Sequence, residues 1–247
     1  MAPPLSPLEM TVRAVDGLVL KGVLEYPEHS TGTRYPLAVL AHQYPATADS
    51  FGPLVEDLLD LGVACLAFDL RGHGASIHGP DGLMVVDTPE GFTSAAFGTA
   101  FVSSAGRVGF TRIDNDILRV ASWGATQNFI DPARILLVGS SVGGSGVLLA
   151  APLFPGLKGM VTFGAAGVPA FGADAHERIR RNLQSLSVPV LLASSDADPF
   201  DAAGNASTWG ADLPNVSVCL VPGTDHGMAI YYEVRKDVLA LVKTCLG

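Results

Sequence analysis

The sequence is short of charge, of cysteine and of any long uninterrupted apolar run. Charged residues make up 16% of the 247 positions while hydrophobic residues reach 48%. That balance excludes a disordered chain and leaves ample material for a core. Only three cysteines occur, Cys65, Cys219 and Cys245. Cys65 and Cys219 fall within predicted core strands, and all three are read as small buried hydrophobes rather than as redox or metal groups. No uninterrupted apolar run approaches the ~20 residues of a membrane helix, so no membrane span is expected. There is no run of Lys or Arg, and 24 acidic against 15 basic residues give a net charge of −9. An acidic surface repels phosphate, which argues against a nucleic-acid partner. The opening Met1-Ala2-Pro3-Pro4-Leu5-Ser6-Pro7 has neither the basic nor the apolar region of a signal peptide, so the expected location is cytoplasmic. With no H-E-x-x-H and no paired C-x-x-C, no metal and no other cofactor is expected.

What is present is an alternation. Apolar runs of four to eight residues are separated by longer amphipathic stretches, which implies βα units and a mostly parallel sheet. Residues 1–247 read as a single α/β domain of this length, with no repeat and no linker. Thr11–Val15 and Leu18–Glu25, joined by Asp16-Gly17, predict an antiparallel hairpin. Further strands are expected at Leu37–Ala41, Val63–Phe68, Arg134–Val138, Gly159–Phe163, Val188–Ala193 and Val216–Val221. Helices are expected at Phe51–Leu61, Asp114–Gln127, from about Gly144, near Asp174–Leu186, and near Met228–Cys245. Residues 1–10 read as a flexible arm. Residues 77–112 show no clear period and read as an irregular loop, a length that is usually functional.

One strand-to-turn transition carries chemistry. Gly139-Ser140-Ser141-Val142-Gly143 matches G-x-S-x-G directly after an apolar strand and before a helix. A nucleophile on so sharp a turn forces its neighbours two before and two after into contact, so both must be small. Gly139 and Gly143 satisfy that around Ser141. Ser140 fails because Val138 and Val142 would take those places, and Ser145 fails because of Val147. The following helix aims its positive end at the turn, and the Val142 N–H is a natural oxyanion donor.

Two later strand ends supply what such a serine needs. Ser194-Ser195-Asp196-Ala197-Asp198-Pro199 follows one strand and Pro222-Gly223-Thr224-Asp225-His226-Gly227 the next. His226 would exchange the proton of Ser141, and a carboxylate would orient its imidazole. Asp198 and Asp196 both qualify for that carboxylate; Asp225 adjoins His226 in sequence, and such neighbours generally point apart. His29 and His176 lie in polar contexts and are read as surface residues; His78 sits in the irregular stretch and is read as a surface residue, with pocket lining as the alternative.

Phe68-Asp69-Leu70-Arg71-Gly72-His73-Gly74-Ala75-Ser76 closely resembles the D-x-R-G-H-G-x-S segment of the α/β-hydrolase superfamily, in its esterase and monoglyceride-lipase branches. Together with the order Ser141, acid, His226, the resemblance extends from about Leu18 to the C-terminus. It implies an α/β-hydrolase fold with about eight strands and helices on both faces; Gly164–Ala173, where many members insert a cap, is short, so no large cap domain is expected. The resemblance further implies a Ser-His-Asp triad, favours Asp198 because the Asp-Pro step resembles the family's acid turn, and gives His73 a structural role. Ala41-His42-Gln43-Tyr44-Pro45 resembles the family's His-Gly-x loop. By that match the Tyr44 N–H is the second oxyanion donor, with Gln43 as the alternative, since Gln43 stands where glycine is usual.

The resemblance leaves the substrate open. Met84, Phe92, Phe97, Phe101 and Phe110 in the irregular stretch are candidates to line a pocket, with Phe92 and Phe97 taken as substrate-binding. The expected reaction is cleavage of short to medium carboxylic esters through an acyl-enzyme. The same triad serves thioesterases, peptidases, lactonases and perhydrolases, and the scaffold also serves ligand-binding receptors. The expected partner is a small-molecule ester; monomer and dimer remain open.

Overall fold

A computed structural model of the chain describes residues 7–27, 34–91 and 93–247. The chain opens with β1 (Leu8–Arg13) and β2 (Val19–Glu25), the hairpin that Asp16-Gly17 predicted, in register from Leu8↔Leu24 to Arg13↔Val19. Then come β3 (Tyr35–Ala41), α1 (Gly52–Asp60) and β4 (Ala64–Phe68). A minimal hairpin of β5 (His78–Gly79) and β6 (Gly82–Leu83) leads to α2 (Ser94–Val108) and α3 (Ile113–Ala125). The remaining elements alternate: β7 (Ile130–Ser140), α4 (Val142–Ala150), β8 (Leu157–Phe163), α5 (Ala175–Ser185), β9 (Val190–Ser195), α6 (Ala202–Gly210), β10 (Val216–Val221) and α7 (Tyr231–Leu246).

The strands form one sheet in the order β10-β9-β8-β7-β3-β4-β2-β5-β6, with β1 on β2. The six strands from β10 to β4 are mutually parallel; β2 joins β4 antiparallel. From β3 the chain goes one way to β4 and then returns across to β7 on the other side. The C-terminal ends of β3 and β7 therefore meet at a topological switch point, where open α/β sheets bind ligands.

Strand periodicity divides the apolar residues between two cores. On β3, Leu37, Val39 and Ala41 face the side covered by α3 and α4, while Ala38 and Leu40 face α1 and α7. On β7, Ile135 and Leu137 go one way and Leu136 and Val138 the other. Burial of each such side chain contributes about 1.5–3 kcal/mol, which is why the central strands read as continuous apolar runs.

Four expectations need correction. Residues 77–112 are not a loop without regular structure; 15 of them form α2. That helix is hidden from periodicity because its inward residues, Ala100, Ser104 and Val108, are mostly small, while Val102 faces solvent. A second helix of small residues, α6, went unseen for the same reason. The arm at 1–10 is too long, because Leu8–Met10 pair with β2 and Met10 is buried; residues 1–6 lie outside the described residues. Cys65 is buried in β4, but Cys219 is only half-buried, because β10 is the outer strand of the sheet.

The Asp69–Ser76 segment is tied down on all sides. Arg71 is fully buried; its guanidinium donates to Asp116 at 2.6 and 3.1 Å, to Asp16 at 3.0 Å and to the Val108 carbonyl at 3.0 Å. Asp69 accepts the N–H groups of Ala48 and Ala75, and Ser76 Oγ accepts the Lys21 N–H. The segment thus joins the first hairpin, α2 and α3 beneath the loop that follows β3.

Candidate active site

Ser141 sits between β7 and α4 at φ 51°, ψ −119°, a backbone conformation that costs a non-glycine residue of order 1–3 kcal/mol. The turn is sharp enough that neighbouring backbone leaves no room for side chains. A Cβ on Gly139 would stand 2.4 Å from the Gly143 carbonyl oxygen, and one on Gly143 would stand 2.1 Å from that of Ala41. Ser140 and Ser145 are buried and bonded elsewhere, to the carbonyls of Phe163 and Ala166. The steric reading of the motif and the geometry agree.

The loops after β9 and β10 bring two more side chains to Ser141. His226 Nε2 lies 2.8 Å from Ser141 Oγ, and His226 Nδ1 lies 2.6 Å from Asp198 Oδ2. Asp198 has its side chain buried, and its other oxygen accepts the Phe200 N–H at 2.8 Å. With Nδ1 carrying the proton towards the carboxylate, Nε2 is left to accept from the serine hydroxyl. Asp196 points elsewhere: it is exposed and accepts the Gly223 N–H at 3.0 Å. Asp225 is also exposed, and its carbonyl, not its carboxylate, is engaged, by Ser195 Oγ.

The loop after β3 lies across from Ser141. Gln43 to Ala46 form a tight turn closed by the Ala46 N–H on the Gln43 carbonyl, with a cis Tyr44–Pro45 bond. His42 holds this turn from below. Its Nδ1 lies 2.8 Å from the Gln43 carbonyl and its Nε2 accepts the Leu70 N–H at 2.8 Å. Complete burial and the neighbouring His73 push the His42 pKa down to about 3, so the ring is neutral. Burial also lowers the pKa of His73, which bonds the Arg71 carbonyl and packs between His42, Tyr44 and Phe110. Val142 is the first residue of α4, so its N–H has no partner within the helix. The Gln43 side-chain oxygen is buried without a hydrogen-bond partner among the described residues.

Ser141 and His226 open onto a cavity of about 400 Å³, within the usual size range of small-molecule sites. Its walls are Phe97, Gly98 and Phe101 from α2, the Gln43–Ala46 turn, Ala166 and Gly167 after β8, and Pro199 and Phe200 after β9. Of the residues expected to line it, Phe97 and Phe101 do. Phe110 is fully buried below, Met84 packs on the core, and Phe92 lies outside the described residues. Phe200 was missed although it stands two residues after Asp198; its ring meets the His226 ring edge-on at 4.6 Å. The signal was its place just past a strand end, the same signal that located Asp198 and His226. His78 and His176 are exposed, and His29 lies outside the described residues.

Comparison with known proteins agrees with this architecture. The family described as alpha/beta hydrolase fold matches residues 36–184, more than half of the sequence. The chain belongs to that family. No curated protein matches the sequence. Among solved structures, Est1E from Butyrivibrio proteoclasticus with bound ferulic acid is similar, with a TM-score of 0.69 and 19% identity over 94% of this chain and 98% of that one. The esterase domain of a Rhodothermus marinus protein gives a TM-score of 0.67 and 18% identity over 98% and 100%. Dienelactone hydrolase from Anabaena variabilis gives 0.66 and 17% over 98% and 100%. At these identities the likeness is one of fold. Among the described residues, no helix is long and apolar enough to cross a membrane.

Proposed function

We propose that this protein is a serine hydrolase that cleaves carboxylic esters, with Ser141 as nucleophile, His226 as general base and then acid, and Asp198 as the carboxylate that orients His226. The observation that carries this is the unbroken hydrogen-bonded line Ser141–His226–Asp198, with its serine end opening into an apolar cavity. Ser141 Oγ attacks the ester carbonyl as His226 Nε2 takes its proton. The oxyanion is received by the N–H groups of Val142 and Tyr44, with Gln43 as the alternative to Tyr44. His226 then returns the proton to the leaving alcohol, and a water attacks the acyl-enzyme by the same route.

The cavity supports neutral, apolar acyl groups of short to medium length. None of its lining residues carries a formal charge when His226 is neutral. A free carboxylate or ammonium on the substrate would enter without a counter-ion, at a cost of several kcal/mol. This favours simple esters over the charged substrates of a peptidase acting on chain ends. Phe97, Phe101 and Phe200 also suit the aryl acyl group of an ester of an aromatic acid, the kind of acid held by Est1E.

The test is labelling with a fluorophosphonate, read by mass spectrometry, alongside hydrolysis of p-nitrophenyl acetate and butyrate. The label is expected on Ser141, and Ser141→Ala is expected to lower kcat/KM by about 10⁴-fold or more. Full activity in Ser141→Ala would remove the nucleophile assignment. A wild-type protein that takes no label and holds an ester tightly without turnover would favour the receptor reading.

A further inference from the structure

We propose that Asp87 is a positioning residue, which couples the α2 wall of the cavity to the turn that carries the Tyr44 N–H. Four polar contacts converge on it. Its backbone N–H donates to Ser104 Oγ at 2.8 Å, and its carboxylate accepts Ser103 Oγ and Arg107 Nη2, each at 2.5 Å. Its carbonyl accepts the Tyr44 hydroxyl at 2.5 Å. Arg107 also donates to the Val85 carbonyl at 2.7 Å, and the Val86 N–H donates to the Gly72 carbonyl at 3.0 Å. One residue therefore fastens the segment before α2 to the third turn of that helix and, through Tyr44, to the candidate oxyanion turn.

The packing shows why α2 depends on this fastening. Its buried residues, Ala100, Ser104 and Val108, are mostly small, and Phe97, Phe101 and Ala105 pack on the core only in part. Phe97 and Phe101, which form the cavity wall, lie in the half of the helix that precedes the fastening. The Tyr44 ring meets Phe101 edge-on at 5.5 Å and is itself buried. A movement of α2 that shifts Phe101 therefore presses on Tyr44, and the hydroxyl bond to Asp87 carries the same displacement by a second path. Acyl-group fit and oxyanion geometry are linked through one side chain and one carbonyl.

Two measurements on the whole chain test this. Backbone hydrogen–deuterium exchange in Asp87→Ala is expected to rise about tenfold both in 94–108 and at the amides of Gln43, Tyr44 and Ala46. Asp87→Asn, whose amide oxygen can still accept from Arg107 while its NH2 donates to a rotated Ser103 hydroxyl, is expected to restore most of the protection. The kinetic arm rests on the esterase reading and uses active-site titration to count competent molecules. There Asp87→Ala is expected both to raise KM for p-nitrophenyl butyrate about fivefold and to lower kcat about fivefold; a KM change with kcat unaltered would argue against the coupling. Tyr44→Phe is expected to lower kcat about tenfold with KM little changed. The coupling is overturned if exchange in Asp87→Ala rises in α2 alone, or in neither segment. If the wild-type protein neither labels nor hydrolyses any ester, the esterase reading falls while the exchange experiment still decides the coupling.

Discussion

Glycine means opposite things at the two sides of the cavity. At the Ser141 turn, Gly139 and Gly143 are where backbone meets backbone, and an added Cβ would overlap carbonyl oxygens. In α2, Gly98 and Gly106 face open space, with no atom within 4 Å of an added Cβ. The first region is fixed by main-chain contact among β3, β7 and α4, and only its glycines permit it. The second is a helix of small residues held by a few rings and by the bonds around Asp87. The side that carries Ser141 is built from backbone; the opposite wall of the cavity is built from replaceable side chains.

The sharpest break is expected in the buried line behind Ser141. Asp198→Asn is expected to lower kcat/KM by about 10³–10⁴-fold, because an amide cannot hold the His226 tautomer. Asp196→Asn, at the exposed neighbour, is expected to change it less than twofold. A reversal of these two in ester assays would move the acid to Asp196. Next, Gly143→Ala is expected to cost ~3 kcal/mol or more, since the Ala41 carbonyl it meets cannot move without the sheet. A urea midpoint close to that of the wild type would show that the turn relaxes more readily than its contacts imply.

The next effect depends on pH and lies under the Gln43–Ala46 turn. His42 titrates near 3 in the folded protein and at about 6.5 when unfolded. Between those values the unfolded chain binds more protons, so stability is complete above about 6.5 and falls as pH drops below it. The slope from this residue is about 1.4 kcal/mol per pH unit. In His42→Gln the difference in unfolding free energy between pH 7 and pH 5 is expected to shrink accordingly. Equal slopes in the two proteins would exclude a neutral buried His42. The smallest effect is a gain: Gly106→Ala in α2 is expected to add about 0.5–1 kcal/mol, read from the urea midpoint. A loss there would mean that α2 is packed more tightly on its outer side than its open space suggests.

Legibility in the sequence follows the same division. The turn at Ser141 was readable because sterics dictate glycine at fixed offsets, and the parallel strands because they are buried on both faces. Asp198 and His226 were readable because α/β sheets present functional groups at the ends of strands. The choice between Asp198 and Asp196 was not, since two residues apart on one loop they differ only in direction. Helix α2 was hidden because Ala, Ser and Gly give no apolar period even when buried. Asp87 carries no motif at all; its partners Tyr44, Ser103 and Arg107 come together only through the tertiary path of the chain.

Phe200 serves Asp198 with its main chain and the cavity with its ring. The two duties are chemically separable. Any residue but proline keeps the N–H on the carboxylate, whereas the volume and polarity facing the cavity change with every substitution. A substitution at position 200 therefore reshapes the cavity wall and the face packed on His226 while the hydrogen bond to Asp198 stays in place.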